Sequence, residues 1–298
     1  MGGIKTHLKK TIQRTAVPDT VVRLIERARG IRYPGALIGR LNFPPSGQGK
    51  GGVLVFAAHQ DDEVLGLGLT LIKHKNKGDR VTVVFMTNGA GGNWQGSGAL
   101  QRAVSAARFK EACDALAVIG IEPAEIVFLG FPDGGLHRYI PEASEDVATL
   151  LRAIEPQTIY VHAIEGGHLD HDVTAFVVQQ VSARLGVEPV FEWAEYNREA
   201  RGGQPIADAR FAYDPYVADF DCAPTRFDES EFRRKQEMLG KYASQAISIR
   251  YYPFRGEILR KARPIHLLPR LAYFTLFSPG RLRSLVDRRR ARAAQASR

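Results

Sequence analysis

The sequence predicts an α/β fold in which a mostly parallel sheet is covered by helices on both faces. Three observations predict it. Short continuous apolar runs, of which Val53–Ala58 is the first, alternate with helical stretches as far as Trp193. The runs show no inward–outward alternation, as strands buried on both faces require. The helical stretches between them supply the right-handed crossovers that parallel pairing needs.

Taken in order, Leu41–Gly52 (LNFPPSGQGKGG) is rich in Pro, Gly and Ser and reads as a linker. The first strand, Val53–Ala58, leads into a helix from about Glu63 to Asn76, which Gly78-Asp79 ends. Arg80–Met86 is the second strand. Gln101–Ile119 carries Ala103, Ala106, Ala107, Ala112, Leu116 and Ile119 and stops at Gly120, so it is helical. Glu125–Leu129 and Thr158–Val161 are two more strands, with a helix near Ser144–Ile154 between them. Asp170–Leu185 is a helix stopped by Gly186, and Pro189–Trp193 is a fifth strand. Beyond about Arg250 the alternation ceases. The chain is therefore expected to divide into a basic N-terminal extension and linker (1–50), a body (51–249) and a basic C-terminal extension (250–298).

Composition narrows the class. The 298 residues are 44% hydrophobic and 24% charged, within the range of globular proteins. No apolar run approaches the ~18 residues of a transmembrane helix, and Met1–Arg14 is basic without the apolar stretch of a secretory signal. Cys113 and Cys222 are too few for a disulfide framework, so a reducing, cytoplasmic setting is expected. The net charge of +9 is unevenly placed: residues 1–32 hold eight Lys/Arg against two acids, and 250–298 hold thirteen against two. The body between them is acidic. A tail that mixes apolar residues with arginine (Leu267–Val286, then Arg288-Arg289-Arg290) suits peripheral contact with an anionic membrane at its inner face. No nucleic-acid motif accompanies the charge, so no nucleic-acid partner is expected.

Parallel sheets bind ligands beyond the carboxyl ends of their strands, and four such ends here carry unusual polar residues. His59-Gln60-Asp61-Asp62-Glu63 follows the first, Thr87-Asn88-Gly89-Ala90 the second, Pro132-Asp133-Gly134 the third, and His162 followed by His168-Leu169-Asp170-His171 the fourth. Four acid or imidazole groups within five residues repel one another unless a cation is present. Imidazole and carboxylate together suit zinc and related divalent metals. His168 and His171, three apart at a helix start, can project to one side. Three ligands from two segments leave a position open for water, the mark of a catalytic zinc. Read singly, the first cluster also suits a helix N-terminus, and Asp170 a helix cap.

These residues carry a resemblance. Ala57-Ala58-His59-Gln60-Asp61-Asp62-Glu63 resembles the Ala-His-Pro-Asp-Asp-Glu signature of the PIG-L/LmbE family of zinc-dependent N-deacetylases. His168-Leu169-Asp170-His171 resembles that family's His-x-Asp-His segment. Arg108-Phe109-Lys110-Glu111 and the strand Val127-Phe128-Leu129-Gly130 resemble its Arg-x-x-Glu helix and next strand. The likeness runs from about Val53 to about Asn197 and implies a Rossmann-like, LmbE-like fold. It also implies removal of an acetyl group from an N-acetylglucosamine-type conjugate. His59, Asp62 and His171 would be the zinc ligands, Asp61 the general base toward zinc-bound water, and His168 the cationic partner of the oxyanion or leaving amine. Arg108 and Asp133 would line the substrate pocket, and Asp170 would orient a histidine behind the ligands. Read blandly, Arg108 pairs with Glu111 along its helix, and Asp133 is a turn residue. Two positions depart from the family: Gln60 stands where Pro is usual, and Ala90 where many relatives place an acid. The glycine-rich loop Gly89–Gly98 presents Trp94, which suits either sugar stacking or loop anchoring.

Two other functions fit the same residues: a divalent-metal glycosyltransferase or phosphoesterase, and a glycan- or membrane-binding module with a structural metal. The same ligands also accept Fe²⁺, Co²⁺ or Ni²⁺.

Overall fold

The computed structural model describes residues 19–28, 42–45, 50–91, 98–165, 168–195, 225–245 and 257–262. The Trp94 loop tip, the tail from Leu267 and most of the N-terminal extension lie outside them. Helix α1 (Asp19–Ala28) belongs to a separate compact unit and leaves Val21, Leu24 and Ile25 exposed. No helix among the described residues is long and apolar enough to cross a membrane.

The second unit is built on one six-stranded sheet. Its strands are β1 (Val53–Ala57), β2 (Val81–Thr87), β3 (Ile126–Phe131), β4 (Thr158–His162), β5 (Val190–Trp193) and β6 (Leu259–Lys261), in the order β3-β2-β1-β4-β5-β6. The first five pair in parallel and β6 closes the edge antiparallel. All the residues of β1, β2 and β3 are buried, which explains their unbroken apolar runs. The crossover helices are α2 (Asp62–Leu65) and α3 (Gly68–Asn76), α4 (Gly98–Ala117), α5 (Ile140–Ile154) and α6 (Leu169–Leu185). The order runs one way from β1 to β3 and the other way from β4 onward, so a crevice opens beyond the carboxyl ends of β1 and β4.

Three features differ from the sequence expectation. The helix expected from Glu63 to Asn76 is two helices, because the fully buried Trp193 lies against Gly66. A Cβ there would sit 2.1 Å from the indole Cδ1. A further helix, α7 (Glu229–Leu239), packs Phe232, Lys235 and Met238 inward. Its capping box, Asp228 with Glu231, was a readable start signal. Finally, residues 257–262, assigned above to the C-terminal extension, are part of the body. Leu259–Lys261 pairs with β5, and Arg260 donates from Nε to Glu192 Oε2 across that pair at 2.5 Å.

A buried ion pair holds this late segment. Glu257 is fully buried and accepts the Leu69 and Thr70 N–H groups at 2.5 and 2.9 Å, doing for α3 what its N-cap Leu67 cannot. Lys235 Nζ, 2.8 Å from Glu257 Oε1, also donates to Leu65 O at 2.8 Å. Because Lys235 would be left buried without its counter-charge, Glu257→Ala is expected to destabilise the fold by about 3–5 kcal/mol. Gly66→Ala, which displaces Trp193, is expected to remove about 1–3 kcal/mol. Denaturant midpoints check both.

Candidate metal centre and catalytic site

The residues past β1 adopt a sharp turn. Asp61 has φ 133° and ψ −30°, a backbone region that side-chain-bearing residues rarely enter, at about 1–3 kcal/mol. Its carbonyl accepts Val64 and Leu65 N–H at 3.1 and 2.8 Å, opening α2, and its own N–H donates to Glu63 Oε2 at 3.1 Å. The turn sends two adjacent aspartates to different places. Asp62 Oδ2 folds back to accept the His59 N–H at 2.7 Å, while Asp61 Oδ1 meets Arg108 Nη2 at 3.1 Å.

Three side-chain atoms then form a nearly equilateral triangle. His59 Nδ1 and His171 Nε2 each lie 3.2 Å from Asp62 Oδ2 and 3.3 Å from each other. Donors 2.0–2.1 Å from a tetrahedral zinc are about 3.3 Å apart, so the spacing of this set suits such an ion. His162 Nε2 is also 3.3 Å from Asp62 Oδ2, but its lone pair accepts the Ala58 N–H at 3.0 Å. Asp62, His162 and His171 also bring one ligand atom each within 4.8 Å of one another. The His162 ring stacks on His171 with centroids 3.9 Å apart.

Carboxylates surround His59 on its other edge. Asp133 Oδ1 lies 3.2 Å and Asp170 Oδ2 3.3 Å from His59 Nε2. A ligating histidine whose second nitrogen meets a carboxylate is held in one tautomer and orientation. Burial opposes charge on His59, yet Asp133 and Asp62 hold its pKa well above the ordinary imidazole value. Burial likewise opposes charge on Asp62, yet His171 and His59 keep its carboxyl well below the usual range. The centre thus favours a positive charge at this point. Asp61 differs: burial raises it to about 7, opposed by Arg108 and reinforced by Asp62. Adjacent carboxylates are thereby set to different protonation behaviour.

The structure brings the expected residues together, with some changes of part. Arg108 does not pair with Glu111. It donates to Gly89 O at 3.0 Å, Gln60 O at 2.6 Å and Asp61, while Glu111 accepts from Ser244. Asp170 is not the α6 cap. His168 is, and Asp170 instead accepts Gly134 and Leu136 N–H at 2.6 and 3.2 Å behind His59. Asp133 is more than a turn residue: Oδ2 accepts the Gly91 N–H at 2.7 Å and Oδ1 faces His59. His168 Nδ1 accepts the Asp170 N–H at 3.3 Å, which leaves its proton on Nε2. Its ring stands edge-on to His59 with centroids 4.6 Å apart. Burial, aided by His59 and His171, pushes His168 down to about 4. Gln60 spans the turn by donating to Thr87 O at 2.8 Å, and Gly89 (φ 65°) leaves room for it, since a Cβ would lie 2.1 Å from Gln60 Oε1.

Sequence reasoning assigned no part to Glu195 or to Tyr242. Both lie outside the two signature clusters. Glu195 accepts Trp193 Nε1–H at 3.1 Å behind His162, and Tyr242 donates to Glu63.

Residues 54–182 match the family model described as PIG-L, GlcNAc-PI de-N-acetylase. Among solved structures, a triple mutant of the deacetylase of the teicoplanin biosynthetic pathway aligns with TM-score 0.56 at 17% identity, over 71% of this chain and 98% of its own. The A40926 pseudoaglycone deacetylase aligns with TM-score 0.54 at 20% identity, over 67% and 84%. A zinc-inhibited form of teicoplanin deacetylase gives 0.54 at 17%, over 70% and 98%. At these identities the likeness is one of fold. The matched segment starts in β1, ends in α6 and contains His59, Asp61, Asp62, Arg108, Asp133, His168, Asp170 and His171. Residues 54–182 are a PIG-L family domain.

Proposed function

We propose that this chain is a metal-dependent hydrolase that removes the acetyl group from the nitrogen of an N-acetylglucosamine-type sugar conjugate. The observation that carries the reading is the division between neighbouring aspartates. Asp62 completes the His59–His171 triangle, while Asp61 stands beside it with one oxygen on Arg108. A purely structural metal site needs no such second carboxylate. The family description and the deacetylases that share the fold support the same chemistry.

A divalent metal, zinc by the fit of its donors, would be held by His59, Asp62 and His171 and would polarise the acetyl carbonyl and lower the pKa of nearby water. Asp61 takes a proton from the attacking water while Arg108 holds its Oδ1 in place. His168 donates from Nε2 toward the oxygen that becomes negative as water adds to the carbonyl carbon. When the carbon–nitrogen bond breaks, Asp61 returns the proton to the departing amine, giving acetate and a free amino sugar. Asp133 and Asp170 keep the His59 ring aimed throughout. A phosphoesterase or glycosyltransferase reading gives His168 and His171 no comparable task. Cytoplasmic residence, which rests on the low cysteine count, and salt-sensitive contact between the basic termini and an anionic membrane, which rests on charge, belong to the same proposal.

Asp61→Asn is expected to keep its metal and to lose about a hundredfold or more in kcat, read as acetate release from N-acetylglucosamine conjugates. Wild-type protein that releases no acetate from any such conjugate overturns the reading. His171→Ala is expected to lose stoichiometric zinc, measured by elemental analysis after dialysis, and full retention would remove it from the ligand set. The whole chain is expected to co-sediment with anionic but not zwitterionic vesicles at low salt and to be released at high salt. Equal recovery with both removes the membrane contact.

A further inference from the structure

Asp61 is held in its left-handed turn from two directions. Arg108 holds the side chain. The backbone N–H is held by Glu63 Oε2 at 3.1 Å, and the other oxygen of that carboxylate accepts a hydrogen bond from the Tyr242 hydroxyl. Glu63 is fully buried and Tyr242 is 1% exposed, so water does not substitute for either contact. Tyr242 lies just beyond α7, outside the segment that matches the family.

We propose that Tyr242 is a positioning residue for Asp61 and acts through Glu63. The inference rests on the reading of Asp61 as the general base. At φ 133° the Asp61 backbone lies far from any minimum that an aspartate prefers, so it persists only where its surroundings over-determine it. The Glu63 carboxylate supplies that constraint, and the Tyr242 hydroxyl keeps the carboxylate aimed at the Asp61 N–H. Release of this contact lets the turn relax toward ordinary φ values and swings the Asp61 carboxylate off Arg108. The turn that bears Tyr242 is itself tied to α4, because Ser244 N and Oγ donate to Glu111 at 2.9 and 2.6 Å. Arg108 lies one turn from Glu111 on that helix. The same helix therefore references both holds on Asp61, one directly and one through the chain's later segment.

Tyr242→Phe removes the hydroxyl and keeps the ring. In zinc-loaded full-length protein it is expected to lower kcat about tenfold with little change in KM, since small misplacements of a reacting group are enough for this. In the Asp61→Asn background the same substitution is expected to change the residual rate little, because the base it positions is already gone. An equal loss in both backgrounds overturns the proposal and leaves Tyr242 a packing residue. A second comparison is independent of activity. Asp61→Gly accepts φ 133° without strain, so Tyr242→Phe is expected to lower the melting temperature less in that background than in wild type. Equal shifts in the two backgrounds overturn the brace. If wild type releases acetate from no amino-sugar conjugate, the deacetylase reading falls, and the melting comparison still decides whether Tyr242 braces the Asp61 turn.

Discussion

The convergence of Asp62, Asp133 and Asp170 on one imidazole organises this molecule. Each carboxylate comes within 3.3 Å of His59, and each is buried or nearly so. Buried negative charge at this density is untenable without a compensating positive charge. The fold answers with histidine rings from two segments and with a set of donor atoms at metal-ligand spacing. Backbone N–H groups of Gly91, Gly134 and Leu136 hold the outer carboxylates, so the loops after β2 and β3 are tied to the centre as firmly as the signature residues.

Sheet topology decides where that charge can gather. β1 lies mid-sheet, and the reversal of strand order between it and β4 brings the residues after each to the same crevice. The Asp61 turn completes the arrangement. By accepting an unfavourable backbone conformation, the chain points one aspartate at His59 and His171 and its neighbour at Arg108. Local strain of this kind persists because the contacts around it are numerous and buried.

The matched segment 54–182 contains the acids and imidazoles of the centre but not everything that holds them. Glu257 caps α3, Lys235 closes the gap between α2 and α7, β6 completes the sheet edge and Tyr242 reaches Glu63, all from residues beyond 224. Among the described residues, 225–245 and 257–262 thus brace the elements that carry the site.

The sequence by itself determined the parallel α/β class, the five parallel strands and the residues that assemble at their carboxyl ends. Those features rest on local pattern: apolar runs of strand length, glycine stops, and polar clusters at fixed offsets from strand ends. The clusters His59–Glu63 and His168–His171 were legible because their chemistry and spacing are unusual in short windows, and the choice of His59, Asp62 and His171 among them came from the family resemblance. The tertiary structure decided which atom of each meets which partner. It turned Arg108 away from Glu111, made His168 and not Asp170 the cap of α6, and placed Trp193 on Gly66, which breaks one expected helix in two. It also drew in β6, α7, Glu257 and Tyr242, whose short or polar segments carry little periodic signal. Glu257, Lys235 and Tyr242 each pair a buried charge or hydroxyl with a group more than 150 positions earlier in the chain, and β6 pairs with β5, where Glu192 lies 68 positions before Arg260. Such pairings are satisfied in space and leave no local trace, which is why only the folded chain reveals them.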